Sequence, residues 1–66
     1  MTFGEKLTQK REERGMTQRE LADLSGVPKG SIGNYENNSY RPRPKNLWKL
    51  IRVFGNELLD CDTKLV

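Results

Sequence analysis

From Thr17 to Glu36 the chain reads TQRELADLSGVPKGSIGNYE, and this stretch decides the fold. Thr17 followed by Glu20 forms a capping box: the threonine oxygen accepts one orphan helix N–H and the glutamate reaches back to another. Behind it, Leu21, Ala22 and Leu24 line one face of a short helix, with the small Ala22 leaving room for a crossing neighbour. Gly26 stands where that helix must stop in a left-handed conformation, which glycine adopts cheaply. Pro28 suits the first turn of the next helix, and Ile32 with Tyr35 gives that helix an inward stripe. The spacing predicts two short amphipathic helices meeting at a tight elbow.

Helix signals continue on both sides. Thr2 with Glu5 forms a second capping box and starts a helix that Gly15 ends. Pro44 opens a further helix along Leu47, Leu50, Ile51 and Phe54, closed by Gly55, and Asn56 is placed to cap a last short helix through Leu58 and Leu59. The longest break runs from Asn37 to Arg43, where Pro42 and Pro44 hold Arg41 and Arg43 extended. With no alternating strand pattern, the expected architecture is all-α: one domain over residues 1–66, a compact bundle of about five short helices. A chain of 66 residues buries only about 60% of its unfolded surface, which excludes a deep cavity. No apolar run approaches the roughly 20 residues of a membrane span, and the N-terminus does not resemble a signal peptide, so a cytoplasmic protein with no membrane partner is expected.

Enzyme chemistry finds little support. The chain lacks histidine, the usual general base and commonest metal ligand. Cys61 is the single cysteine, too few for a disulfide within the chain or a thiolate zinc cluster, and it reads best as a small apolar residue. Glu12 and Glu13 are adjacent, so they point to different faces of a helix and form no acid/base pair. Gly30 and Gly33 follow no strand and make no phosphate cradle. A non-enzyme is expected, with no cofactor and no metal.

Charge is unevenly spread. Residues 1–28 balance Lys6, Lys10, Arg11, Arg14 and Arg19 against five acidic side chains. Residues 29–52 carry Lys29, Arg41, Arg43, Lys45, Lys49 and Arg52 against Glu36 alone. Residues 53–66 set Lys64 against Glu57, Asp60 and Asp62. The positive excess thus begins at the second elbow helix and continues through the loop and helix behind it, the footprint of a face that meets phosphates.

The elbow resembles the helix-turn-helix of the Cro/phage-repressor family, also called the xenobiotic-response-element (XRE) family. The likeness is carried by Arg14-Gly15-Met16-Thr17-Gln18, Glu20-Leu21-Ala22, Ser25-Gly26-Val27, and Ser31-Ile32 followed by Asn34-Tyr35-Glu36-Asn37. It extends from Phe3-Gly4-Glu5-Lys6-Leu7 through Leu47 to Gly55, nearly the whole chain. The resemblance implies a lambda-repressor-like DNA-binding domain whose second elbow helix, residues 28–36, enters the major groove of double-stranded DNA.

With Ile32 and Tyr35 facing inward, Lys29, Gly30, Gly33 and Asn34 turn outward, and the resemblance places base contacts on the same four residues. Lysine donates to guanine O6 and N7, and asparagine pairs with adenine N6 and N7. The blander alternatives are a phosphate contact for Lys29 and a solvated side chain for Asn34. The glycines depart from the family pattern, in which relatives usually carry a side chain at these places, and each costs roughly 1 kcal/mol of helix stability relative to alanine. Close approach to DNA, lost readout, or a helix mobile until bound would each account for them.

For phosphate contacts the resemblance gives Gln18 at the start of the first elbow helix and Ser31 near the backbone, with Arg19 adding charge. Asn38, Ser39, Tyr40, Arg41 and Arg43 form a polar loop placed along the next phosphates, followed by Lys45. Tyr40 reads equally well as an ordinary exposed aromatic. The resemblance also implies an ion pair between Arg11 and Glu36 that fixes how the second elbow helix is presented.

Relatives usually bind as two-fold dimers on near-palindromic sites, so a homodimer on DNA is expected. Trp48 lies beside the inward stripe of its helix. With Val53, Leu58 or Leu59, and Leu65-Val66, it forms a candidate dimer surface, unless Trp48 folds onto its own core. Asn56 departs from the family, which usually carries an apolar residue there. Two functional classes remain: a sequence-specific transcriptional regulator, with a repressor expected, and a protein-interaction module on the same fold, such as an antitoxin-like partner or repressor antagonist.

Overall fold

Local signals and helix ends correspond closely. The computed structural model describes residues 2–59; the expectations attached to the Leu59 side chain, Cys61 and the Leu65-Val66 end lie outside the described residues. Four α-helices run in order: α1 Phe3–Glu13, α2 Gln18–Ser25, α3 Lys29–Glu36 and α4 Pro44–Phe54. One 3-10 turn, Asn56–Leu59, follows. Where a fifth short helix was expected, the chain makes this single tighter turn, with Leu58 N–H reaching the Gly55 carbonyl at 3.3 Å.

Both capping boxes form. Thr2 Oγ1 accepts from Glu5 N–H at 3.2 Å while Glu5 Oε1 accepts from Thr2 N–H at 2.9 Å. Thr17 and Glu20 repeat the exchange at 3.0 and 2.8 Å. Gly26 ends α2 at φ 83°, and Gly55 follows α4 at φ 84°. Pro28 stands one residue ahead of α3 and supplies its carbonyl to Ile32 N–H at 3.1 Å. Two cations meet helix C-terminal carbonyls: Arg14 Nη1 donates to Val53 at 2.7 Å and Lys49 Nζ reaches Gly26 at 3.5 Å. This placement favours positive charge.

The core is one cluster of Phe3, Leu7, Leu21, Val27, Ile32, Tyr35, Leu50, Ile51, Phe54 and Leu58, with Met16, Ala22, Leu47 and Val53 packed around it. Helix α1 lies against α3 and the 3-10 turn, while α2 lies against α3 and α4. Two expectations need correction. Leu24, read as part of the inner face of α2, is 65% exposed. It sits a turn after Leu21, α2 ends one residue later, and Val27 fills the core place beyond the elbow. Leu58, grouped with the candidate dimer surface, is fully buried. The 3-10 turn folds it under the bundle, so it is removed from any external surface. Among the described residues no helix is long and apolar enough to cross a membrane.

Candidate nucleic-acid interface

Helix α3 does little to form itself. Its preceding residue, Pro28, offers no side-chain cap, and its first turn carries no acidic residue to meet the helix dipole. Gly30 and Gly33 weaken it further. Neighbours hold it instead. Ile32 is fully buried and Tyr35 nearly so, and the Tyr35 hydroxyl accepts from Asn46 Nδ2 of α4 at 3.0 Å.

A polar network fixes the far end of the helix. Arg11 Nε donates to Glu36 Oε2 at 2.8 Å and Arg11 Nη2 to Glu36 Oε1 at 3.3 Å, while Arg11 Nη1 reaches the Met16 carbonyl at 2.7 Å. Only 14% of the Arg11 side chain and 8% of the Glu36 side chain remain exposed. The hydrogen bond that Arg11 donates to Glu36, together with the carboxylate's charge, raises the Arg11 pKa above the ordinary value, so the guanidinium is a fixed cation. Gln18 Nε2 adds a third donor to Glu36 Oε1 at 3.0 Å. This pins the Gln18 amide over Gly33, whose missing Cβ would lie 3.8 Å from Gln18 Oε1.

What remains open is the outer face. Lys29 and Gly30 are exposed, while Ser31, Gly33 and Asn34 are half-buried. Beside them runs a groove of 380 Å³ lined by Ser31, Asn34, Tyr35, Tyr40, Arg41, Arg43, Lys45 and Asn46. Three of these residues are cations and none is acidic. A second cleft, at the elbow, brings Arg19 together with Lys29, beside Asp23 and Gly26. Four acidic side chains, Glu5, Glu12, Glu13 and Glu36, line a separate cleft with Thr8 and Gln9.

Of the residues expected in the interface, Ser31, Asn34, Tyr40, Arg41, Arg43 and Lys45 therefore share one groove, with Tyr40 65% exposed. Ser39 lies at the end of α3, its N–H committed to the Asn34 carbonyl at 2.9 Å and to Asn37 Oδ1 at 2.9 Å. Asn38 turns away from the groove to α1: its Oδ1 accepts from Gly4 N–H at 3.1 Å and its Nδ2 donates to Thr2 Oγ1 at 3.2 Å. Trp48 is 60% exposed rather than folded onto the core, and Val53 is half-buried in a separate groove with Arg14, Leu24, Ser25, Lys49 and Arg52. Sequence reasoning missed Asn46 and the Tyr35 hydroxyl. The one available signal was the position of Asn46 directly after Lys45 in the first turn of α4.

The helix-turn-helix family model matches residues 7–60, and the chain belongs to that family. It is 34% identical over 55 residues to the HTH-type transcriptional regulator PuuR of Escherichia coli (strain K12), a match covering 83% of this chain and 30% of that protein. It is 36% identical over 53 residues to the SPbeta prophage-derived uncharacterized HTH-type transcriptional regulator YonR of Bacillus subtilis (strain 168), covering 80% of this chain and 49% of that protein. The matches thus span less than half the length of either curated relative. No solved structure matches the chain significantly.

Proposed function

We propose that the protein is a sequence-specific, double-stranded DNA-binding transcriptional regulator, acting as a repressor, that lays α3 in the major groove. The observation that carries this reading is the groove beside α3, which gathers Arg41, Arg43 and Lys45, with no acidic residue among its described lining residues. Lys29 and Asn34 read base edges, with Gly30 and Gly33 facing the same base pairs. Gln18, Arg19, Ser31, Ser39, Tyr40, Arg41, Arg43 and Lys45 meet the flanking phosphates. One such helix spans few base pairs, so two copies bind a near-palindrome, with the exposed Trp48 at the contact between them.

Selection of bound duplexes from a random DNA pool tests this reading. A near-palindrome with half-sites about 10 base pairs apart is the expected product. Recovery of no consensus would refute base reading. The exposed Leu24 and Trp48 favour the second reading, a protein-interaction module; weak duplex affinity with little dependence on salt would point to it.

A further inference from the structure

Helix α3 closes with two fold-back bonds: Ser39 N–H to the Asn34 carbonyl at 2.9 Å and Asn38 N–H to the Tyr35 carbonyl at 3.1 Å. This is a Schellman closure, whose left-handed position ordinarily takes glycine. Helix α1 closes in the same way through Gly15, with Met16 N–H on the Arg11 carbonyl and Gly15 N–H on that of Glu12. At the end of α3 the left-handed residue is Asn38, at φ 65°, alone among the described non-glycine residues. A glycine would meet the backbone requirement more cheaply. The Asn38 side chain does what glycine cannot. It accepts from Gly4 N–H, an orphan donor in the first turn of α1, and donates to Thr2 Oγ1.

A second contact reinforces this one. A Cβ on Gly4 would lie 2.5 Å from the carbonyl oxygens of both Tyr35 and Glu36, so the last turn of α3 rests directly on the first turn of α1. Asn34 is tied into the same closure, because its carbonyl accepts from Ser39 and, at 3.4 Å, from Tyr40. A movement at residue 38 is therefore passed to Asn34 on the groove face and to the start of the Arg41–Arg43 loop.

We propose that Asn38 is a positioning residue: it clamps the end of α3 to the start of α1 and thereby sets how Asn34 and the basic loop meet DNA, without touching DNA itself. This rests on the reading of α3 as the base-contacting helix. The test is Asn38→Gly, which keeps the left-handed backbone and removes only the side chain. Binding is measured well below the melting temperature, to the duplex selected by the wild-type protein and to a random duplex.

The expected result is a folded protein whose affinity for the selected duplex falls about tenfold, the scale of one spoiled base contact, while random-duplex affinity stays within about twofold. A loss of fold alone would lower both affinities in one proportion and leave their ratio unchanged. Equal losses on both duplexes would overturn the proposal and make Asn38 a backbone contact or a purely structural residue. No change on either would overturn it as well. Gly4→Ala perturbs the same clamp from its buried side and should shift the ratio in the same direction. If it does not fold, Asn38→Gly alone decides. Failure of the base-reading assignment shows separately, as a wild-type protein that selects no sequence, and the positioning role then falls with it.

Discussion

The two elbow helices have eight residues each and opposite characters. Helix α2 carries its own start in the Thr17–Glu20 box and its own stop in Gly26. Helix α3 has no side-chain cap at its start and two glycines within it, and it ends on an asparagine in a left-handed conformation. Yet α3 presents the open face. The difference teaches that the supporting helix is locally encoded, whereas the presented helix is shaped by contacts from α1, α2 and α4. Its outer side chains are thereby released from any duty to stabilise it.

The strongest way to break this contrast is Arg11→Met. It leaves the Glu36 carboxylate largely buried without its cation and should cost about 3–5 kcal/mol, a large share of the stability of so short a chain. Urea unfolding measures it, and a loss below about 1 kcal/mol would show that α3 stands without the pair. Next come Lys29→Ala and Asn34→Ala, which should each relax preference at one base pair and cost about 1–3 kcal/mol of binding with little change in stability. Thr17→Ala removes a cap internal to α2 and should cost about 1 kcal/mol, with no effect on which sequence is selected.

Gly30→Ala tests the other helix from the opposite side. Gly30 has open space where a Cβ would go, so alanine should stabilise the free protein by about 0.5–1 kcal/mol. A destabilised Gly30→Ala would mean that α3 needs a glycine there for its own packing.

The smallest effect is the response to pH. Hydrogen bonds from Thr2 hold the Glu5 pKa below its ordinary 4.5, and Lys10 does the same for Glu57. Groups with depressed pKa values contribute stability above about pH 4.5, and this is lost as pH falls through their lowered values. Lys10, raised above its ordinary 10.5 by Glu57, contributes until pH rises through its elevated value. A melting temperature that is level from pH 6 to 9 and falls below about pH 4.5 is expected. Thermal scans across that range check it.

Much of the fold was legible because its signals are short-range. Thr17 and Glu20, Gly26, Pro44 and Gly55 each act within a turn of their own position. The open face of α3 was legible for the same reason, since Ile32 and Tyr35 fix which side points inward. What escaped depends on distant partners. Asn38 reads as one more polar loop residue until Gly4, far away in the chain, is seen against it. Leu24 and Leu58 look interchangeable as apolar residues near helix ends, and only the assembled bundle leaves one open and encloses the other. Gln18 was legible as a donor at a helix start, but its bond to Glu36 needed α2 and α3 placed together.

The position of α1 bears on the order in which the chain acquires structure during synthesis. Within the bundle this helix is made before the others, yet its partners come later: Glu36 for Arg11, Asn38 for Gly4, and Glu57 for Lys10. The core it joins also includes Leu58. A nascent chain halted before that leucine has its first helix ready and nothing complete to place it on. Domains of this kind fold as units, so the bundle closes once, after Leu58 has been made, rather than growing helix by helix. The elbow, although formed by adjacent residues, waits for α1 and for the turn that carries Leu58 before its second helix is held in place.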